Sequence, residues 1–329
     1  VRAFVVEHHG DEVTAGVRDV DADAFLDEGD VRVDVAWSCL NFKDAMVAQP
    51  KSRVARRDVL IGGVDAVGVV AASQGTPWRV GDAVIAHGHG FGTSHHGGFA
   101  PKLRCDPAWL TPLPRGLGAR DAMVLGTAGY TAMASILALE ATGLANDAGP
   151  VLVTGATGGV GSVAVALLSA RGFEVTAMTG KPTEHGYLAA LGATDVVARD
   201  ALEDRPERVL GAARFAGAVD CVGGETLAGI LRVLRWGGAV AATGLVGGPQ
   251  IHTTVYPFIT RNVALLGIDS VEAPARVREV VWDTLACALP ATTVEALVAR
   301  EVGLDGVGEG LAALERAAVR GRILVDPSR

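Results

Sequence analysis

Four of the chain's eight histidines fall within the run HGHGFGTSHHGG, residues 87–98. Imidazole nitrogens bind metal ions, so His87, His89, His95 and His96 raise a metal site on a glycine-rich loop as the first chemistry to test. Their H-x-H-x5-H-H spacing matches no standard zinc arrangement, and the alternative is a loop without a metal.

A second constellation is VLVTGATGGVGS, residues 151–162, in which Gly155, Gly158 and Gly161 recur every three residues and Gly159 is an extra. The glycines follow an apolar run that reads as a buried strand and open a helical pattern, the context a dinucleotide site requires. Glycine lets the backbone approach a pyrophosphate closely, and the N–H groups and dipole at a helix start favour its negative charge. An ordinary strand-to-helix turn is the alternative. The next strand, FEVTAM, runs into Thr179, Gly180 and Lys181. NAD sites usually carry Asp or Glu at this point for the ribose 2′-OH. Here no carboxylate stands to repel a 2′-phosphate, and Lys181 supplies a charge to pair with it. The pattern predicts NADP(H). Arg199, at the end of the third strand, is a second candidate for the adenosine pocket; a solvated surface role is the competing assignment for both cations.

The elements that must hold these groups divide the chain. At 329 residues about two domains are expected. Residues 1–115 read as short strands and turns: Val31, Val33 and Val35 alternate in VRVDVAWS, and few helical periods appear, so a β-rich distorted barrel is expected. From about residue 122 apolar strand runs alternate with helical runs, which implies a doubly wound parallel sheet, an α/β fold. The tail, ending in RILVD, carries no cofactor-type motif and is expected to return to the first domain.

Composition narrows the function. A net charge of −8 and a pI near 5.5 argue against nucleic acid, which is bound by clustered Lys and Arg. No apolar run of about 18 uncharged residues is read, so no membrane span is expected. The opening VRAFVVEHHGDEV reads as a strand with charges behind it rather than a signal peptide, and a soluble, cytoplasmic protein is expected. Cys39, Cys105, Cys221 and Cys287 form no C-x-x-C pair and are expected to be buried small hydrophobes.

The motifs WSCLNFKDAM, IGGVDAVGVV, GTAGYTAM, VTGATGGVGS, TGKPTEHGYLAALGA, VDCVGG, GLVGG and TTVYPFITRNVALLGIDSV occur in this order along essentially the whole chain. Together they resemble the medium-chain dehydrogenase/reductase superfamily, in its zinc-free, quinone-oxidoreductase-like branch and the acryloyl-CoA reductase group. The resemblance implies a GroES-like catalytic domain over 1–121 with 291–329, a Rossmann NADP-binding domain over 122–290, and a homodimer. Zinc-dependent relatives bind their catalytic metal through a Cys in the first motif and a His-Glu pair in the second. Asn41 and Val64–Asp65 stand there in this chain, and the cysteine-rich lobe of a structural zinc is missing, so no metal is expected. The histidine run would then be a loop beside the cleft or a plain surface loop.

The resemblance also implies site residues. Asn41, Lys43, Asp44 and Asp65 replace or adjoin the lost metal ligands and are candidates for the reaction site. Asn41 is a candidate donor to a substrate oxygen, and the two aspartates could orient a donor or a water. A purely architectural role for these groups is the alternative. Phe42 stands where the group often has Tyr, so it is expected to pack against the cofactor without serving in catalysis. Thr157, Gly158, Gly159 and Val160 would cradle the pyrophosphate. Thr179, Gly180, Lys181 and Arg199 would hold the adenosine end, and Thr127, Leu245, Ile259 and Ser270 the nicotinamide side. The run KSRVARR offers Lys51, Arg53, Arg56 and Arg57 as a basic rim for coenzyme A phosphates, or as a solvated loop. The expected activity is NADPH-dependent reduction of acryloyl-CoA to propanoyl-CoA. The alternatives are a quinone or enone reductase acting on free small molecules, and a non-enzymatic NADPH-binding protein.

Overall fold

A computed structural model describes residues 1–21, 29–202 and 208–329. They form two units, one of Val1–Ala128, Ser270–Cys287 and Val294–Arg329, the other of Gly129–Asp269 and Ala288–Thr293.

The first unit carries two β-sheets. In the smaller, Arg2–His9 pairs antiparallel with Glu12–Asp19 and with Val59–Ile61. The larger runs in the order Val298–Gly303, Arg322–Asp326, Val31–Cys39, Asp65–Ser73, Ala83–His87 and Leu110–Pro112, and Lys102–Cys105 also pairs with Val31–Cys39. The valine alternation explains the central strand: Val31, Val33 and Val35 are buried while Arg32, Asp34 and Ala36 are exposed, the two-residue period of a strand with one packed face. The buried valines pack with Ala66, Val70, Val84 and Leu103. The tail strand Arg322–Asp326 lies antiparallel to Val31–Cys39, with Leu324 opposite Cys39. That register carries Arg322 to the Cys39 end of the sheet.

The boundaries differ from those read in the sequence, at 121/122 and 290/291. The segment Ser270–Cys287 belongs to the first unit. Its helix, Ala275–Leu285, buries Arg278 and Trp282, and the Trp282 indole donates to His87 Nε2 at 3.0 Å. Helical periodicity shows that a helix has a packed face, but not which core receives it.

The helix Ala119–Ala141 breaks at Gly126, where φ is 51° and ψ is −157°. It also corrects the expectation that no long apolar run exists. By length and composition it could cross a membrane, yet most of it is buried inside the molecule. It is a core helix of the fold.

The second unit is built on six parallel strands. Numbered along the chain, these are Val151–Val153, Val175–Met178, Asp195–Val197, Phe215–Asp220, Leu234–Ala242 and Ala264–Gly267, and they lie side by side in the order 3-2-1-4-5-6. The first, second and fourth strands are buried along their whole length, as strands covered on both faces must be. This is the doubly wound order, with its reversal between the first and fourth strands, where such sheets bind nucleotides. The α/β expectation of a Rossmann sheet with a β-rich GroES-like unit is the architecture found.

Candidate active site

In the first unit a cluster forms around Asp65, the first residue of the Asp65–Ser73 strand, which is 1% exposed. Its Oδ2 accepts from the Asn41 side-chain amide at 2.8 Å, from the Thr127 backbone N–H at 2.9 Å and from the Cys39 thiol at 3.1 Å. Its Oδ1 accepts from the Thr127 hydroxyl. The break at Gly126 makes this possible, because it turns Thr127 into the start of a new helical run whose N–H needs an outside acceptor. A side chain at Gly126 would have its Cβ 2.8 Å from Asp65 Oδ2 and 2.9 Å from both Cys39 Sγ and Arg322 Nη2.

Arg322 completes the cluster from the C-terminal strand. It is 3% exposed. Its guanidinium donates to Cys39 Sγ at 2.9 Å, to Asn41 Oδ1 at 3.2 Å, and to the carbonyls of Val124 at 3.0 Å and Leu40 at 3.4 Å. Its nearest approach to Asp65 Oδ2 is 4.0 Å. A buried charge of each sign is thus satisfied within one set of contacts, which is the condition for burying either.

Asp44 braces the same region from behind. It lies in the short helix Phe42–Val47, whose N-cap is Asn41. One carboxylate oxygen accepts the Asn41 backbone N–H at 2.8 Å and the other the Val64 N–H at 2.9 Å. Burial pushes its carboxyl up to about 7, helped by the nearby Asp65 charge and opposed by the backbone N–H groups of Asn41, Val64 and Gly63. Burial, with Asp65 beside it, also holds the Cys39 thiol well above its ordinary range, in its protonated form.

These residues do not fit a zinc ion. A metal ligand set needs deprotonated thiolate and carboxylate lone pairs aimed at one vacant point. Here a guanidinium already takes the Cys39 sulfur and the Asn41 oxygen, and Asp65 spends both oxygens on fixed donors. Among the described residues no three His, Cys, Asp or Glu side chains converge as a ligand set.

The four histidines of the glycine-rich run go to different tasks. His87 is buried, accepts from Trp282 and lies 3.0 Å from Arg278 Nη1. Burial, then the Arg278 charge, pushes it down to about 3, so it is neutral. His89 stacks on Trp109 with 7° between the rings. His95 packs edge-on against Phe91 and Trp109. His96 Nδ1 accepts the Ile61 backbone N–H at 2.9 Å. The run is an architectural loop held by rings and backbone bonds.

In the second unit the glycine turn has the form expected of a phosphate cradle. Gly158 caps the helix Gly159–Ala170. A Cβ on Gly161 would stand 2.4 Å from the Gly155 carbonyl oxygen, so only glycine allows this helix to pack so closely on the turn. The Gly158–Val160 backbone is partly open, and Thr157 is buried beneath it. At the end of the second strand Thr179 is buried and its hydroxyl accepts the Lys181 N–H at 3.1 Å. Arg199 lies directly over Gly180: a Cβ there would meet Arg199 Nε at 2.4 Å. Burial lowers the Lys181 ammonium, the nearby Glu184 carboxylate opposes that fall, and the Arg199 charge adds to it. Two cations, Lys181 and Arg199, therefore sit beside the turn, with the Glu184 carboxylate near Lys181. The cradle and this cationic end fit a dinucleotide bearing a 2′-phosphate.

The sequence candidates thus fall into separate groups. Asn41, Asp44, Asp65 and Thr127 form one cluster, with the Asn41 amide committed to Asp65 and both Thr127 donors spent on it. Lys43 is half-buried beside them and Phe42 is 40% exposed. Leu245 and Ile259 are exposed on the second unit, whereas Ser270 is in the first, its carbonyl accepting from Arg278. Lys51, Arg53, Arg56 and Arg57 are exposed. Lys51 is ion-paired to Asp11, and the Arg56 N–H binds the Thr93 carbonyl of the histidine loop. The cysteines differ among themselves: Cys39 and Cys105 are buried, Cys221 is half-buried and Cys287 is exposed. Sequence reasoning missed Arg322 and Gly126. The one local signal for Arg322 is an arginine opening an otherwise apolar strand, RILVD.

Residues 27–115 match the alcohol dehydrogenase GroES-like domain family and residues 159–286 the zinc-binding dehydrogenase family. The chain is 42% identical to the probable acrylyl-CoA reductase AcuI of Escherichia coli K12, over 99% of each. It is 40% identical to the putative quinone oxidoreductase YhfP of Bacillus subtilis, over 98% of each. Among solved structures, the YhdH oxidoreductase of Salmonella enterica in complex with NADP superposes with a TM-score of 0.95, at 41% identity over 99% of both chains. YhfP with NAD bound gives a TM-score of 0.95 at 40% identity, covering 99% of this chain and 98% of that one.

Proposed function

The chain belongs to the medium-chain dehydrogenase/reductase superfamily, in its acryloyl-CoA reductase group, and from this we propose that it reduces acryloyl-CoA to propanoyl-CoA with NADPH. Bound NADPH supplies the hydride, and one proton from solvent balances the reaction. The observation that carries the proposal is the cationic end of the second strand, where Lys181 and Arg199 flank Gly180 beside the glycine turn. In this assignment Thr157, Gly158, Gly159 and Val160 hold the pyrophosphate, and Thr179, Gly180, Lys181 and Arg199 hold the 2′-phosphate.

Reduction of an unsaturated thioester builds negative charge on the carbonyl oxygen, which fixed donors must stabilise. Asn41, whose amide carries a second N–H besides the one given to Asp65, and Lys43 are half-buried polar side chains of the cluster, and we assign them to that oxygen; the Thr127 donors are both spent on Asp65. Asp65 fixes the Asn41 amide, and Asp44 fixes its backbone. Arg322 balances the Asp65 charge. These three are positioning residues, being almost fully buried.

The basic run Arg53–Arg57 suits the phosphates of coenzyme A. The Ala264–Gly267 strand is the outer strand of its sheet, with Leu265, Tyr256 and Ile259 exposed, so we propose that a second copy covers it in a homodimer. Light scattering after size exclusion tests this. A soluble, cytoplasmic location goes with acyl-CoA and NADPH as reactants.

The deciding experiment is NADPH oxidation with acryloyl-CoA, crotonyl-CoA and a panel of quinones, compared by kcat/KM. Acryloyl-CoA should rank first. Neutralising Arg56 and Arg57 together should raise KM for acryloyl-CoA and leave a small free enone unaffected. A quinone ranking first would favour the free-substrate alternative.

A further inference from the structure

We infer that Asp220 is a positioning residue that sets the height of the dinucleotide cradle. It ties the end of the first strand to the turn after the fourth. The inference rests on the dinucleotide assignment above and extends it to a residue outside the cradle.

Asp220 ends the Phe215–Asp220 strand, which pairs with Val151–Val153 at the point where the strand order reverses. It is 0% exposed. Its Oδ1 accepts from the Thr154 hydroxyl at 2.5 Å and from the Val222 N–H at 3.2 Å, and its Oδ2 accepts from the Gly223 N–H at 2.8 Å. Thr154 immediately precedes Gly155, and its hydroxyl oxygen in turn accepts the Cys221 N–H at 3.1 Å. One carboxylate and one hydroxyl thus join the start of the cradle to three successive residues of the neighbouring turn.

That turn cannot give way. Gly223 and Gly224 have φ of 76° and 54°, and a Cβ on them would stand 2.8 Å from the Gly244 carbonyl oxygen and 2.5 Å from that of Gly247. The Gly247 N–H also binds the Val222 carbonyl at 2.8 Å. On the other side, a Cβ on Gly155 would lie 3.3 Å from Cys221 Cβ. The turn is therefore a fixed anvil, and Asp220 holds Gly155 against it.

Electrostatics alone would not place a carboxylate here, since a buried negative charge opposes an anion bound nearby. Burial raises the Asp220 carboxyl, and its three donors oppose that rise. The compensating benefit is geometric. Three donors converge on it, and only an acceptor-only group satisfies them all. An amide would turn an NH2 toward one of them.

The test compares two ligands on the full-length protein by titration calorimetry: NADPH, which needs the cradle, and 2′-AMP, which needs only the cationic end. Asp220→Asn and Thr154→Val should each weaken NADPH by about tenfold or more and leave 2′-AMP unchanged. Thr154→Ser, which keeps the hydroxyl, should behave as wild type. Unchanged NADPH affinity in both disruptive variants would overturn the inference. So would equal weakening of both ligands, which marks a general loss of structure. Wild type binding neither ligand would overturn the dinucleotide assignment, and this inference with it.

Discussion

Arg322 lies 2.9 Å from the sulfur of Cys39, a residue 283 positions earlier in the chain, and 4.0 Å from the carboxylate of Asp65. A permanent cation thus stands among the side chains that flank the positions of a catalytic metal in related enzymes. The charge balance of the cluster comes from the polypeptide.

Removing one side of that balance should be costly. Arg322→Met is expected to lower stability by about 3–5 kcal/mol, because Asp65 is left as a buried, uncompensated charge. Adding Asp65→Asn should return part of the loss. Urea unfolding of both single variants and the double variant measures the coupling. Strict additivity would show that the two charges do not sense each other.

Metal removal should have no effect. Activity after dialysis against a chelator should equal that of untreated protein, and elemental analysis should find no stoichiometric zinc. About one zinc per chain, with activity lost on its removal, would contradict the donor chemistry of Cys39, Asn41 and Asp65.

Cofactor choice should depend on Lys181 and on the Arg199 guanidinium packed over Gly180. A hydrogen bond to a charged group is worth about 1.5–3 kcal/mol, so Lys181→Ala should cut the NADPH-to-NADH ratio of kcat/KM by about ten- to a hundredfold. Gly180→Ala should act in the same direction without removing any charge, because its Cβ would displace the Arg199 guanidinium. Thr179→Asp should go further, by repelling the 2′-phosphate and offering an acceptor to a ribose hydroxyl. A ratio that none of the three moves would remove this patch from the cofactor site.

Stability should carry two opposed pH dependences. His87 is held down to about 3 in the folded chain, against about 6.5 when unfolded. Its contribution is present above about 6.5 and is lost as pH falls toward 3, because the unfolded chain binds the proton first. Asp44 is pushed up to about 7 from an ordinary value of 3.8. Its contribution is present below about 4 and is lost as pH rises through 7. Between about 4 and 6.5 the two slopes oppose each other. His87→Gln should therefore leave a stability that falls more steeply with rising pH, and Asp44→Asn one that rises more steeply. Unfolding free energies at a series of pH values test both, and curves parallel to wild type would refute them.

Much of the second unit was legible in the sequence. The glycine turn, the missing carboxylate after FEVTAM and the alternation of apolar strands with helices are all local. A backbone forced into positive φ or a two-residue burial period leaves its mark within a few positions of the chain. The same holds for Val31, Val33 and Val35 in the first unit. The motif around Asn41 and Val64–Asp65 singled out residues that the structure brings together, although not their wiring.

The rest was decided by tertiary structure. The four histidines look alike in sequence, yet one is buried against Trp282, two pack on Trp109 and one accepts a backbone N–H from Ile61, because their partners come from other segments. Ser270–Cys287 reads as a continuation of the dinucleotide-binding domain, but its buried Arg278 and Trp282 belong to the core that holds His87. Cys39 reads as a small hydrophobe, yet it bonds with Asp65 and Arg322. The meeting of Arg322 with Cys39 and Asn41 depends on the register of the last strand against Val31–Cys39, and a slip of one residue would turn its side chains to the other face. A short pattern records what a residue's neighbours in the chain demand; which distant charge it meets depends on how whole sheets align.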